Sequence, residues 1–444
     1  MSPDLAAAWD SMCSPVRSRY ATQATPGRAR RVVSGLLRWE VARRLSGAGD
    51  PGVLSVNARI LVVQPDHLGG VLASTPALRL LKASLPTAEI TVLAGPWGAD
   101  VAEHCPAVDR VRTCRFPTFE RGPAGAATAR RALARVEPYQ RLLAEAETLR
   151  AERFDLALVL VPDYWSAALV ALARIPRRIG LADGQTDAFL TQVIPAVRPP
   201  VGKLSDRPEA DHVTTQQLRL AAQVPPLAER AVPPNLDRSM SYEPSAGDRA
   251  SAVRVWRAHD LDEAKAVLAI HPAPGGAPKR WSSERFAMLA NHFAGRHGTR
   301  VVITGGPDDL EEARTVAAAC RQQPVVLAGQ TSFGTLAALF ERCRAVLGTD
   351  NGALHLATAM GVPSLRLFGP TDARVWSGWT GAMATSPLTL SIQSPRLCSP
   401  CHRLDVPDWR TIPGVKGDSY PCMADVPADA VIALADQLWR DAFR

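Results

Sequence analysis

The chain has few aromatic side chains, 6% of its 444 residues, and only five tyrosines. Its basic residues are not interleaved with aromatics, and no zinc-finger spacing accompanies them, so nucleic acid is not an expected partner. No apolar run approaches the length needed to span a bilayer. Residues 1–30 lack the apolar core of a signal peptide, because Asp4, Asp10, Pro15 and Arg17 interrupt the start. The expected location is therefore the cytoplasm. The eight cysteines are mostly scattered, as in a protein with reduced thiols. Cys398, Cys401 and Cys422 are the exception.

What is present is the composition of a globular protein, 46% hydrophobic and 21% charged, long enough for two ordinary domains. The net charge of +8 suits an anionic substrate or a membrane surface. Residues 1–55 are set apart as a basic extension. Within it Arg28–Leu45 places Val33, Leu36, Leu37, Val41 and Leu45 on one helical face, with Arg30, Arg31, Arg38, Arg43 and Arg44 around them. Such a helix either makes peripheral contact with the inner face of the cytoplasmic membrane or packs on the body and frays.

From Arg59 onward, strands alternate with helices, which predicts parallel sheets with right-handed crossovers. Arg59–Gln64, Glu89–Ala94 and Phe154–Val161 read as strands of a first half, residues 56–235. Val71–Ser84, Tyr164–Ala173 and Asp211–Gln223 read as its helices, and Pro123–Glu152 is helical in character. Pro195–Arg207 reads as a loop. The Pro-rich Val224–Arg238 marks the boundary. A second half, residues 236–424, carries strands at Val267–His271, Arg300–Thr304, Pro324–Ala328, Ala345–Gly348 and Ser364–Phe368. Residues 425–444 read as a last helix that returns to the first half.

Four loops that follow strands carry polar chemistry. In Pro65–Gly70, Asp66 or His67 could take a proton from an attacking hydroxyl, and Gly69-Gly70 would admit another group to the backbone. The plain alternative is a turn Asp and a surface His. In His271–Trp281, Lys279 could neutralise a diphosphate, or the loop could be a solvated basic one. After Thr304, Asp308 could bond a ribose, or Asp308 or Asp309 could cap a helix. In Thr349–Met360, Asp350, Asn351 and Gly352 open a helix whose free N–H groups suit an anion, with His355 beside them as a phosphate donor or a core histidine. Asp260-Leu261-Asp262 has the spacing of a metal motif but precedes a strand, so it is read as chance. Cys398, Cys401, His402 and Cys422 form a loosely spaced candidate for zinc.

These loops, in this order, resemble the family 9 glycosyltransferases, the ADP-heptose:lipopolysaccharide heptosyltransferases and their relatives. The resemblance runs from about Arg59 to the C-terminus, with Thr113–Ala151 fitting poorly. Its most specific piece is TDNGALHLATAMGVPSLRLFGPTD, Thr349–Asp372. RILVVQPDHLGGVLASTPALRLLK, KRW at Lys279–Trp281, the IPRRIGL around Arg177, Arg178 and Gly180, and CSPC…CM also look familial. The resemblance implies a GT-B fold: α/β, two Rossmann-like domains with parallel sheets facing a cleft, the acceptor on the first and a nucleotide sugar on the second. It implies inverting transfer of a sugar, a heptose from ADP-heptose, to a glycan or lipid-linked acceptor, with no required cofactor or metal. By position, Lys279 would hold the diphosphate and Asp308 the ribose. Asn351 and Gly352 would offer N–H groups to phosphate, with Asp350 and His355 alongside. The family's N-terminal motif ends in Gly-Asp, and that Asp is its proposed base; here the pair is Gly69-Gly70. Either Asp66 or His67 is a displaced base, or the protein binds a nucleotide sugar with weak or lost transfer. A sugar-nucleotide epimerase of the same fold is a third reading.

Overall fold

The computed structural model describes residues 54–120, 137–182, 184, 186–195, 211–225, 236–381, 388–402, 404 and 419–441. The basic segment Arg28–Leu45, the loop after Pro195 and the first part of Pro123–Glu152 lie outside them. The described residues group into two compact units, 54–195 with 213–243, and 211–212 with 244–441.

The first unit is built on β1 (Arg59–Gln64), whose six residues RILVVQ are buried from Ile60 onward. A strand buried on both faces needs apolar residues throughout, which is why this run does not alternate. β2 (Glu89–Ala94), β3 (Arg110–Thr113), β4 (Leu156–Val159), β5 (Arg177–Leu181) and β6 (Gln192–Ile194) complete a six-stranded sheet in the order β3-β2-β1-β4-β5-β6. Every pairing is parallel. The helices are α1 (Leu68–Ser84), α2 (Glu137–Ala151), α3 (Tyr164–Leu172) and α4 (Val213–Ala221). α1 starts earlier than expected, so Gly69 and Gly70 lie in its first turn rather than in the preceding loop. Pro76 is tolerated inside α1, whose middle is fully buried.

The second unit repeats this plan. β7 (Val267–His271), β8 (Arg300–Ile303), β9 (Val325–Val326), β10 (Ala345–Thr349), β11 (Ser364–Phe368) and β12 (Thr389–Gln393) pair in the order β12-β11-β10-β7-β8-β9, again all parallel. Counted from its own first strand, this is the strand order of the first unit. The helices are α5 (Ala246–Ala258), α6 (Ser283–His297), α7 (Leu310–Ala318), α8 (Phe333–Phe340), α9 (Gly352–Ala359) and α10 (Ala428–Asp441). In each unit the strand order reverses beside the first strand, between β1 and β4 and between β7 and β10. Ligands of open parallel sheets bind outside the carboxyl ends of the strands at such a point.

The last helix differs from expectation. α10 packs on α6, β11 and β12, and its Val431, Ala435, Leu438 and Trp439 belong to the core of the second unit. Its apolar stripe recurs every three or four residues and is covered by that sheet, where packing on the first half was expected.

Candidate functional site

In the second unit, β10 ends at Thr349 and α9 begins at Gly352. The connection is too short to wander. Asn351 caps α9, its Oδ1 accepting from the Leu354 N–H at 3.2 Å, while its Nδ2 donates to the Ala273 carbonyl at 2.9 Å. One side chain therefore ends a helix and ties the turn to the loop after β7. Gly348 permits the approach of the two strands: a Cβ there would lie 2.4 Å from the His271 carbonyl oxygen.

Lys279 closes the arrangement. Its Nζ donates to Asp350 Oδ2 at 2.6 Å and to the Asp350 carbonyl at 3.1 Å. Thr371 Oγ1 donates to the same Oδ2 at 2.8 Å. The pair is largely buried, with 13% of the Lys279 side chain and 5% of that of Asp350 exposed. The three residues Lys279-Arg280-Trp281 divide their work. Lys279 reaches Asp350, Arg280 pairs with Glu312 at 3.1 Å, and the buried Trp281 donates Nε1 to the Val426 carbonyl at 3.1 Å. The ammonium, the α9 N-terminus and the hydroxyl of Thr371 are thus gathered at the switch point of the second sheet, a site suited to a diphosphate.

His355 is placed differently from its reading as a phosphate donor. It is 2% exposed and sits under Asp350, with Nε2 3.9 Å from Oδ1. Arg366 Nη1 lies 3.3 Å from His355 Nδ1 and can only donate, so Nδ1 accepts and Nε2 carries the proton. Burial, then the charge of Arg366, pushes its pKa well below the usual imidazole value. It is a neutral core histidine held by Arg366. Arg366 is fully buried and is held by the carbonyls of Leu354 and Trp376. Nothing in the strand Ser364–Phe368 except a charge inside an apolar run marks it, and that signal could have found it. His212, buried against the Ser377 carbonyl at 2.9 Å and stacked on Trp379, was also missed.

Beyond β8, Asp309 takes the capping role, accepting from the Gly306 N–H at 2.7 Å. That leaves Asp308 exposed at the same turn. Asp260 and Asp262 stand before β7, with Asp262 paired to Arg342 at 3.3 Å, as a structural turn would have it. Cys398 and Cys401, two of the residues suggested for zinc, lie near Cys422. Among the described residues, the group of three metal-ligand side chains with all ligand atoms within 4.8 Å is His292, His297 and Asp436. Cys422 is buried against Gly369, and burial, followed by the nearby Cys401 and Cys398, pushes its thiol up to about 12.

The loop after β1 in the first unit holds the other expected residues. Asp66 Oδ1 accepts from the His67 N–H at 2.7 Å, and Trp97 Nε1 donates to the carbonyls of Pro65 and Asp66 at 3.0 and 3.1 Å. The His67 ring tilts against Trp97 with centroids 5.4 Å apart. Gly70 is buried, and a Cβ built on it would meet Asp66 Oδ2, Cγ and Cβ at 2.3, 2.4 and 2.6 Å. The Asp66 carboxylate occupies the space that a side chain at position 70 would take.

The family model described as glycosyltransferase family 9 (heptosyltransferase) matches residues 142–403. Lipopolysaccharide heptosyltransferase 3 of Escherichia coli K12 is 26% identical over 325 residues, covering 70% of this chain and 83% of that one. Lipopolysaccharide heptosyltransferase 2 of Salmonella typhimurium is 26% identical over 319 residues, covering 71% and 83%. A further E. coli lipopolysaccharide heptosyltransferase 3 is 32% identical over 151 residues, 33% of this chain and 42% of that one, so the match spans less than half its length. Among solved structures, the family 9 glycosyltransferase of Veillonella parvula has a TM-score of 0.63 at 23% identity, covering 86% of this chain and 97% of that one. E. coli ADP-heptose lps heptosyltransferase II has a TM-score of 0.60 at 20% identity, covering 86% and 99%. Two parallel sheets of one topology, the Lys279–Asp350 site at the second switch point and a family match over more than half the chain agree: the chain belongs to glycosyltransferase family 9, the heptosyltransferases, and is a glycosyltransferase of GT-B fold.

Proposed function

We propose that this transferase moves a heptose from ADP-heptose to a lipopolysaccharide-core glycan with inversion, and that Asp66 is its base. The observation that carries the second part is the Asp66 carboxylate lying within 2.3 Å of the missing Cβ of Gly70. The family's base is carried one helical turn further along; here the carboxylate comes from the preceding loop and fills the same volume. His67, held against Trp97, is the weaker candidate. The donor assignment draws on relatives whose names carry ADP-heptose and lipopolysaccharide. The basic segment Arg28–Leu45 suits peripheral contact with an anionic membrane that bears the acceptor.

In the reaction, the acceptor hydroxyl attacks the anomeric carbon from the face opposite the diphosphate. Its oxygen forms the new glycosidic bond while its proton passes to Asp66. The bond from the anomeric carbon to the diphosphate oxygen breaks, and ADP leaves with the electron pair. Lys279 and the N–H groups of Gly352 and Ala353 oppose the charge that develops on the leaving group. Asp308 bonds the ribose hydroxyls.

The test is donor turnover by the wild type and three variants. Asp66→Ala lowers kcat by about 10²–10⁴-fold, the usual worth of a general base. His67→Ala leaves kcat within a few-fold. The double variant Asp66→Ala/Gly70→Asp, which moves the carboxylate to the family position, recovers a large part of the loss. Turnover unchanged by Asp66→Ala would remove Asp66 as the base. Donor binding without turnover by the wild type would replace transfer with a binding role.

A further inference from the structure

The side chains His292, His297 and Asp436 form a cluster that the transfer reaction does not use. His292 and His297 lie on α6 and Asp436 on α10, 139 to 144 residues away in sequence. Each Nε2 is 3.0 Å from the same oxygen, Asp436 Oδ1. Positions five apart on an ideal helix point about 140° away from each other. Both rings nevertheless converge, because His297 is the last residue of α6 and the chain turns at Gly298, which is left-handed at φ 58°.

The surroundings favour a cation. Asp436 stands within the stripe of α10 that packs on the core, and 13% of its side chain is exposed. Among the described residues its ion-pair partners are these two imidazoles, with no Lys or Arg. The Asp436 carboxylate stands in a half-buried place with both imidazole nitrogens turned to one of its oxygens. Two imidazole nitrogens and one carboxylate oxygen are the donor set of zinc sites. Tetrahedral coordination with bonds of about 2.0–2.1 Å separates neighbouring ligand atoms by about 3.3 Å, close to the 3.0 Å from each imidazole to the carboxylate, and all three ligand atoms lie within 4.8 Å of one another.

We propose that His292, His297 and Asp436 bind one zinc-class divalent cation, with water as the fourth ligand, and that the cation clamps α10 to α6. The site lies at the C-terminal end of α6, whereas Lys279 precedes its N-terminus, about 20 Å away along a 15-residue helix. It is separate from the donor site, and the proposal stands whether or not the transfer chemistry above is right. Metal bound only by the folded chain raises the melting temperature by mass action.

The full chain, free of any histidine tag and stripped with chelator, is titrated with zinc chloride by calorimetry and followed by thermal melting. One equivalent binds saturably and raises the melting temperature. Asp436→Asn, which keeps the shape and the hydrogen bonds, abolishes both effects, and so does His292→Gln, while donor turnover stays at the wild-type level. Circular dichroism of each variant confirms that it folds. Cobalt chloride gives visible bands of nitrogen and oxygen ligation without thiolate charge transfer, and quenches Trp439, whose ring is 5.7 Å from that of His297. Absence of saturable binding overturns the proposal. So does binding that persists in both variants, or a thiolate band, which would move the metal to Cys398, Cys401 and Cys422.

Discussion

At the scale of single residues, the site rests on charges held in place before any ligand arrives. Lys279 and Asp350 neutralise each other out of water, and removing one partner of such a pair strands the other. Lys279→Met therefore lowers unfolding stability by about 3–5 kcal/mol and lowers kcat by about 10²–10³-fold. Adding Asp350→Asn to Lys279→Met restores much of the stability, read by urea unfolding, but none of the turnover. That split separates the catalytic role of the ammonium from its structural one. Gly70→Asp alone crowds the Asp66 carboxylate at contact distances that no side chain adopts, so this variant is less stable than the double variant that removes Asp66.

At the scale of elements, α9 is short, eight residues, and its start matters more than its length. Asn351→Ala removes both the cap to Leu354 and the tie to Ala273. It costs about 1–2 kcal/mol in a denaturant titration and raises the donor KM, because the N–H groups lose their aim. The central strands and long helices were legible in the sequence because apolar runs bounded by Gly, Pro and Asp signal buried strands of parallel sheets. The edges were not. Arg110–Thr113 has alternate arginines and is largely exposed, and Gln192–Ile194 has three residues, so neither looks like a buried run. Edge strands are identified by the neighbour they pair with, and the pairing is tertiary. The helix start at Leu68 was likewise hidden, since two glycines read as a loop until the packing of α1 is known.

At the scale of the whole molecule, each unit is the same six-stranded plan, and its chemistry stands where that plan reverses. The second unit also buries imidazoles in and beside its sheet. Burial drives His212 and His271 down to about 4, and His355 well below its usual value. In the unfolded chain these groups bind a proton near pH 6.5, while in the folded chain they stay neutral. The unfolded state thus binds more protons as the pH falls from about 6.5 toward 4, and stability falls over that window. Each histidine contributes a slope of up to about 1.4 kcal/mol per pH unit. Melting temperatures across that range fall steeply in the wild type and less steeply in His271→Gln. A pH-independent melting temperature between 6.5 and 4 contradicts the burial of these rings.

The alternation of strands and helices, the division into halves, the Lys279 and Asp350 loops and the absent carboxylate at Gly70 are all local features. Each depends on residues near one another in the chain, so the sequence declared them. Three things needed the fold. Asp66 fills the space at Gly70 only because Pro65 and Asp66 are pinned by Trp97. His355 turns inward because Arg366, from the next strand, holds its ring. Asp436 meets His292 and His297 because α10 packs on α6 and the second sheet. Contacts between distant segments are selected by packing and burial, which no local pattern records.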